Sequence, residues 1–112
     1  MDSPAWQPFS VTVSSHDGST RVALKGELDL AGVDRADEAL REAESLGMRL
    51  VVLDMAELTF VDSTGLEVIL RAARRAQGNG SRLVLARPAP HVRKLLQLTA
   101  IDQSLDVVDD VV

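Results

Sequence analysis

Residues Leu50 to Gln77 read LVVLDMAELTFVDSTGLEVILRAARRAQ, and the succession of patterns inside this stretch decides the fold. Leu50 to Leu53 is an apolar run of the length expected for a strand buried on both faces, and Asp54 ends it. A short connection with a second apolar step at Phe60 and Val61 leads to Asp62, Ser63, Thr64 and Gly65. Leu66, Ile69, Leu70, Ala73 and Ala76 then recur at helical spacing, while Glu67, Arg71, Arg74 and Arg75 fall mostly on the remaining surface. The order is strand, loop, helix. Asp62 and Ser63 are both suitable N-caps. A hydroxyl is therefore expected where unpaired backbone N–H groups and the positive end of a helix dipole converge. That position suits an anion, and the most economical one is a phosphate carried by Ser63 itself. From the spacing alone, plain capping is the commoner role of such a serine.

Upstream, Met1 to Ser10 carries Pro4 and Pro8 around Trp6 and Phe9, and is expected as an extended arm with Trp6 partly covered. Val11 and Val13, then Val22 and Leu24, alternate with polar residues and predict two half-buried strands. The turn-rich Ser14 to Thr20, SSHDGST, joins them as a hairpin. Gly26-Glu27-Leu28-Asp29 ends the second strand, and Asp29 could cap the helix that follows. Val33, Ala36, Leu40, Ala43 and Leu46 mark that helix's apolar face, which stops near Gly47. Its other side, rich in Asp, Glu and Arg, is a solvated face rather than a set of catalytic acids.

Downstream, Gly78-Asn79-Gly80 stops the central helix, Leu83 to Ala86 forms a buried strand, and Pro88 and Pro90 close it. Val92, Leu95, Leu96 and Leu98 predict a short third helix, and Leu105, Val107 and Val108 a last strand. Strands alternating with helices predict an α/β layer fold with a largely parallel region. Right-handed crossovers would lay the helices over the sheet. Leu53, Val52, Leu66, Ile69, Leu70, Leu83 and Leu85 are expected in one core.

The 112 residues suit one domain, 1–112, able to bury about two-thirds of the surface its unfolded chain exposes. With no cysteine, disulfides, thiolate nucleophiles and cysteine zinc sites are excluded. No apolar run approaches the ~20 residues of a membrane span, and no signal peptide opens the chain, so a cytoplasmic protein is expected. A formal charge of -5 and scarce aromatics argue against binding nucleic acid or an anionic membrane.

Enzyme chemistry finds little support. A serine hydrolase needs a base within reach of the nucleophile, and only His16 and His91 could serve. The stretch from Val61 to Gly65 also lacks the first glycine of a nucleophile elbow. There is no phosphate-cradling glycine loop and no metal-ligand spacing, so no catalytic residue, cofactor or metal is expected. A phospho-accepting receiver domain would use Asp54, but it also needs an acidic pair after its first strand and a late lysine. Here Asp29 follows Leu28, and no late strand ends in lysine.

VVLDMAELTFVDSTGL resembles the signature of the STAS family of anti-sigma factor antagonists, in which an apolar strand precedes an Asp-Ser-(Ser/Thr)-Gly-Leu helix start. Gly26-Glu27-Leu28-Asp29 resembles the family's Gly-Glu-Leu-Asp element, and Val92 to Ile101, VRKLLQLTAI, its third helix and following turn. The resemblance implies a STAS-type mixed β-sheet, with an antiparallel N-terminal hairpin and helices packed on the sheet. It implies an unphosphorylated form that binds an anti-sigma factor, itself a serine kinase of the histidine-kinase-like ATPase fold, and so releases a sigma factor. The kinase would phosphorylate Ser63, with Thr64 the alternative acceptor, and a serine phosphatase would reverse the step. Glu27, Asp29, Asp62, Ser63, Thr64, Gly65 and Glu67 are the implied partner contacts of a protein expected to be monomeric. Gly65 would either admit a partner backbone or relax the turn into the helix. Three departures stand out: Glu67 replaces a small residue, Ala100 replaces a common glycine, and the sequence ends at Val112, short of the last helix of many members. A rival within the fold is an unphosphorylated STAS subunit of a transporter or stress-signalling assembly.

Overall fold

The structure, a computed structural model, describes residues 8–98 and 106–109. Alternating apolar and polar residues form the strands β1 (Ser10–His16) and β2 (Ser19–Leu28), which pair antiparallel through a two-residue turn. Asp17 and Gly18 both have positive φ there, the backbone form that matches strand twist in a tight hairpin. The turn is thus shorter than the seven residues expected: Ser14 to His16 and Ser19 to Thr20 belong to the strands. Helix α1 (Val33–Ser45), strand β3 (Leu50–Val61), helix α2 (Ser63–Asn79), strand β4 (Arg82–Ala86), helix α3 (Pro90–Leu98) and strand β5 (Asp106–Val108) follow. The sheet order is β1-β2-β3-β4-β5, antiparallel only at β1–β2, so the expected α/β mixed sheet with its N-terminal hairpin is present.

One core joins the three helices to alternate strand residues, among them Val22, Leu24, Leu53, Met55, Leu83 and Leu85. Ala36, Leu40 and Ala43 enter it from α1, Leu66 and Ile69 from α2, and Val92 and Leu96 from α3. Four apolar residues depart from the expected placement. Val52 is buried but lies outside this core, because side chains alternate across a strand. Leu70 is half-buried; Leu46 and Leu98, each at or beyond a helix end, are 48% and 73% exposed. Of the expected N-terminal arm, Phe9 is buried and Ser10 begins β1, while Trp6 lies outside the described residues, as do Ala100 and Leu105.

Strand β3 is also longer than expected. Asp54 does not end it; the strand continues to Val61 through two irregularities. Ala23 faces Asp54 but Lys25 faces Glu57, and Gly26 faces Leu58 but Glu27 faces Phe60, so β3 carries one extra residue twice. Bulges of this kind twist a strand and re-aim its side chains. Here they leave Phe60 43% exposed and Val61 buried at the strand's end.

Candidate functional site

Because β2 and β3 run parallel, their C-terminal ends bring Glu27-Leu28-Asp29 beside Val61-Asp62. The Asp62 N–H donates to the Leu28 carbonyl at 3.2 Å, fixing the point where the chain leaves the sheet. Helix α2 starts there on a close contact. A Cβ on Gly65 would lie 2.7 Å from Val61 Cγ2 and 2.8 Å from Leu28 Cγ, so only glycine lets this turn sit on the strand ends. Gly65 is buried, and its packing reason points inward.

Of the two candidate caps, the structure selects Asp62. It has extended backbone, and its Oδ1 accepts from Gly65 N–H at 3.0 Å and from the Thr64 hydroxyl at 2.5 Å. The Asp62 carbonyl takes the first helical bond, from Leu66 N–H at 3.0 Å. The Thr64 hydroxyl, aided by backbone N–H donors, holds the Asp62 carboxyl below its ordinary range against a smaller opposing effect of burial. Ser63 is consequently the first helical residue and not the cap. Its side chain is exposed, and its hydroxyl makes no hydrogen bond among the described residues. The two neighbouring hydroxyls thus differ: Thr64 is half-buried and engaged, while Ser63 is open and free.

A groove of about 430 Å³ runs beside this hydroxyl, between Leu30 and Val33 on one wall and Ser63, Thr64, Glu67 and Val68 on the other. Glu67 is exposed and pairs with Arg71 one turn along at 3.4 Å. Asp29 is half-buried and does not cap α1; the cap position is Gly32, without a side-chain bond. Asp29 Oδ1 instead accepts from Ala31 N–H at 3.0 Å, and its carbonyl from Gly32 N–H at 2.9 Å, shaping the loop that carries Leu30. Glu27 is half-buried opposite Phe60. The Thr59 hydroxyl donates to the Gly26 carbonyl at 3.0 Å, and His91 Nε2 lies 2.8 Å from the Thr59 carbonyl. The second bulge is therefore tied to β2 and to α3. His16 is exposed beside Asp17, and neither histidine bonds to Ser63.

One charged centre gives almost no sign of itself in the sequence. Asp54, 8% exposed, accepts from the Arg87 guanidinium at 2.7 Å, lies 3.7 Å from that of Arg21, and accepts from Ala56 N–H at 3.1 Å. The arginines come from β2 and from the end of β4, so only the lone acid in an apolar run could have signalled it. Arg87 adopts positive φ, rare outside glycine, while its N–H donates to the Val108 carbonyl at 2.8 Å. Among the described residues, no group of three or more acidic or histidine side chains is placed to hold a metal ion. No described helix is long and apolar enough to cross a membrane.

Comparison with known proteins agrees with this architecture. A family profile described as "Mlab, STAS domain" matches residues 11–109. The Bordetella bronchiseptica protein BtrV, provisionally named an anti-sigma factor antagonist, is 30% identical over 91 residues, spanning 81% of this chain and 78% of BtrV. Among solved structures, an anti-sigma factor antagonist from Mycobacterium paratuberculosis superposes with a TM-score of 0.85 at 19% identity, over 93% of this chain and 88% of that one. The anti-sigma factor antagonist SpoIIAA in its unphosphorylated form gives 0.76 at 21% identity, over 90% of each chain. The Bacillus SpoIIAA has also been solved phosphorylated, with a TM-score of 0.71 at 21% identity, over 90% of this chain and 93% of that one. The profile match over nearly all of the sequence, together with the mixed sheet and its Asp62-capped helix, shows that the chain belongs to the STAS domain family.

Proposed function

We propose that this protein is an anti-sigma factor antagonist, active when unphosphorylated and switched off by phosphorylation of Ser63. The observation that carries the proposal is the exposed, unbonded Ser63 hydroxyl on the first residue of α2, beside an open groove. The names of the curated relatives and the phosphorylated SpoIIAA structure support the same reading. The partner is an anti-sigma factor that is also a serine kinase of the histidine-kinase-like ATPase fold, and its capture frees a sigma factor. ATP and magnesium belong to that kinase. In the transfer, Ser63 Oγ bonds to the γ-phosphorus, the bond to the β-phosphate oxygen breaks, ADP leaves, and the hydroxyl proton passes to the kinase's base. A serine phosphatase reverses the state, and the protein acts as a monomer.

The electrostatics favour a switch over a structural change. A phosphate adds about -1.5 to -2 charges. At Ser63 it would lie at the positive end of the α2 dipole, in a first turn that carries no acidic residue, so the fold tolerates it. Asp62 stands next to it and Glu67 one turn along, with Glu27 and Asp29 at the same end of the sheet. A partner surface fitted to that acidic rim and a neutral hydroxyl loses several kcal/mol when the charge is added. The test is to incubate the protein with ATP and the anti-sigma serine kinase of its source organism. Phosphate on Ser63 and release of the partner are expected; partner binding without any phosphorylation would instead favour an unswitched STAS subunit.

A further inference from the structure

We infer that Asp62 confines phosphorylation to Ser63 by holding the neighbouring Thr64 hydroxyl against the start of α2. The inference rests on the phosphorylation switch proposed above and adds a specificity-determining residue to it.

A kinase presented with Asp62-Ser63-Thr64-Gly65 meets two adjacent hydroxyls, and sequence gives no reason for it to ignore the second. Structure does. Thr64 Oγ1 donates to Asp62 Oδ1 at 2.5 Å, and the same oxygen takes the Gly65 N–H at 3.0 Å. The acceptor is thus fixed in place by the backbone of the helix it caps, and Thr64 is half-buried, whereas Ser63 is exposed. For Thr64 to react, Oγ1 must bond to the γ-phosphorus of ATP as the bond to the ADP oxygen breaks, and its proton must pass to the kinase's base. That proton is already committed to the Asp62 carboxylate. Freeing it breaks a hydrogen bond to a charged group, which corresponds to a bias of roughly 10- to 100-fold against Thr64.

A consequence is that Asp62 and Thr64 work as a unit. The threonine is present as a donor that fixes the cap, and the cap in turn leaves Ser63 as the one free hydroxyl of the motif. Asp62 acts through Thr64 rather than on the reacting atoms, so it is a positioning residue. The informative quantity is the partition between the two hydroxyls within one molecule. Loss of kinase docking lowers both sites together and leaves their ratio unchanged, and each variant is first shown to be folded by circular dichroism, because an unfolded helix start would free both hydroxyls.

The experiment phosphorylates the full chain with ATP and the same anti-sigma kinase, and reads the Thr64-to-Ser63 phosphate ratio by site-resolved mass spectrometry at low conversion. Wild type, Asp62→Asn and Asp62→Ala are compared. Asparagine keeps a neutral acceptor at the cap, and alanine removes it. The ratio is expected to rise in the order wild type, Asp62→Asn, Asp62→Ala, by about tenfold or more at the last step. Three-bond couplings of the Thr64 side chain should show a single rotamer in wild type and averaging in Asp62→Ala. An unchanged ratio in Asp62→Ala overturns the inference. So does loss of phosphate from both sites in the variants, which would make Asp62 a kinase-recognition residue. Wild type without phosphate on Ser63 refutes the switch itself, a different failure.

Discussion

Replacing Gly65 by alanine tests how α2 is seated, and the same substitution at Gly78 in the same helix is its control. At Gly65 the new Cβ would lie 2.7 Å from Val61 Cγ2 and 2.8 Å from Leu28 Cγ, closer than such atoms approach. Neither neighbour can swing away: Leu28 and Val61 are buried, and Leu28 Cγ is a branch point rather than a flexible end. Overpacking of this kind costs about 1–3 kcal/mol. Alanine recovers up to about 1 kcal/mol of helix propensity over glycine. Gly65→Ala should therefore lose up to about 2 kcal/mol net, or about 4 °C of Tm per kcal/mol for a chain of this size. At Gly78 nothing lies within 4 Å of the new Cβ and only the propensity gain remains, so Gly78→Ala should raise stability by about 0.5–1 kcal/mol. The assay is urea denaturation followed by circular dichroism. Combining Gly65→Ala with Leu28→Ala should cost less than the sum of the two, because the smaller residue makes room. Equal shifts of the same sign at both glycines, or strict additivity with Leu28→Ala, would refute the close seating of α2 on the strand ends.

Other outcomes follow from the same geometry. Ile69→Ala empties a site only 1% exposed and should cost about 2–5 kcal/mol, read as a lower denaturation midpoint. Asp62, whose carboxyl is held below the ordinary value of 3.8, contributes stability that is complete above that value and lost as the pH falls through its lower folded value. The stability gap between wild type and Asp62→Asn should accordingly be constant above about pH 5 and close in acid, measured by denaturation across a pH series. Purified protein should hydrolyse neither esters nor ATP; turnover that survives purification and vanishes in Ser63→Ala would overturn the binding-module account.

What the sequence made legible is what local pattern controls. The i, i+3, i+4 recurrence of Leu66, Ile69, Ala73 and Ala76 located α2 and its buried face, and the strand–helix alternation gave the mixed sheet. The same pattern missed Val68 and Ala72, because α2 is covered over a wider arc than one stripe, by α1 as well as the sheet. Asp54 read as a strand terminator, since a lone acid in an apolar run normally marks an edge. Its partners Arg21 and Arg87 meet it only through the pairing of three strands, which no local window contains. At the site, an N-cap within Asp62-Ser63 was legible, but the choice between them was not. That choice depends on how the chain leaves β3, where the Leu28 carbonyl holds the Asp62 N–H and leaves Ser63 one residue inside the helix.

Charge at Ser63 is expected to abolish partner binding while the fold persists. Calorimetric titration of the anti-sigma partner with unphosphorylated, stoichiometrically Ser63-phosphorylated and Ser63→Ala protein tests it most directly, each shown to be folded beforehand. Near-equal affinity is expected for wild type and Ser63→Ala, and a weakening of at least about 100-fold on phosphorylation. Equal affinity of the phosphorylated and unphosphorylated forms would contradict it.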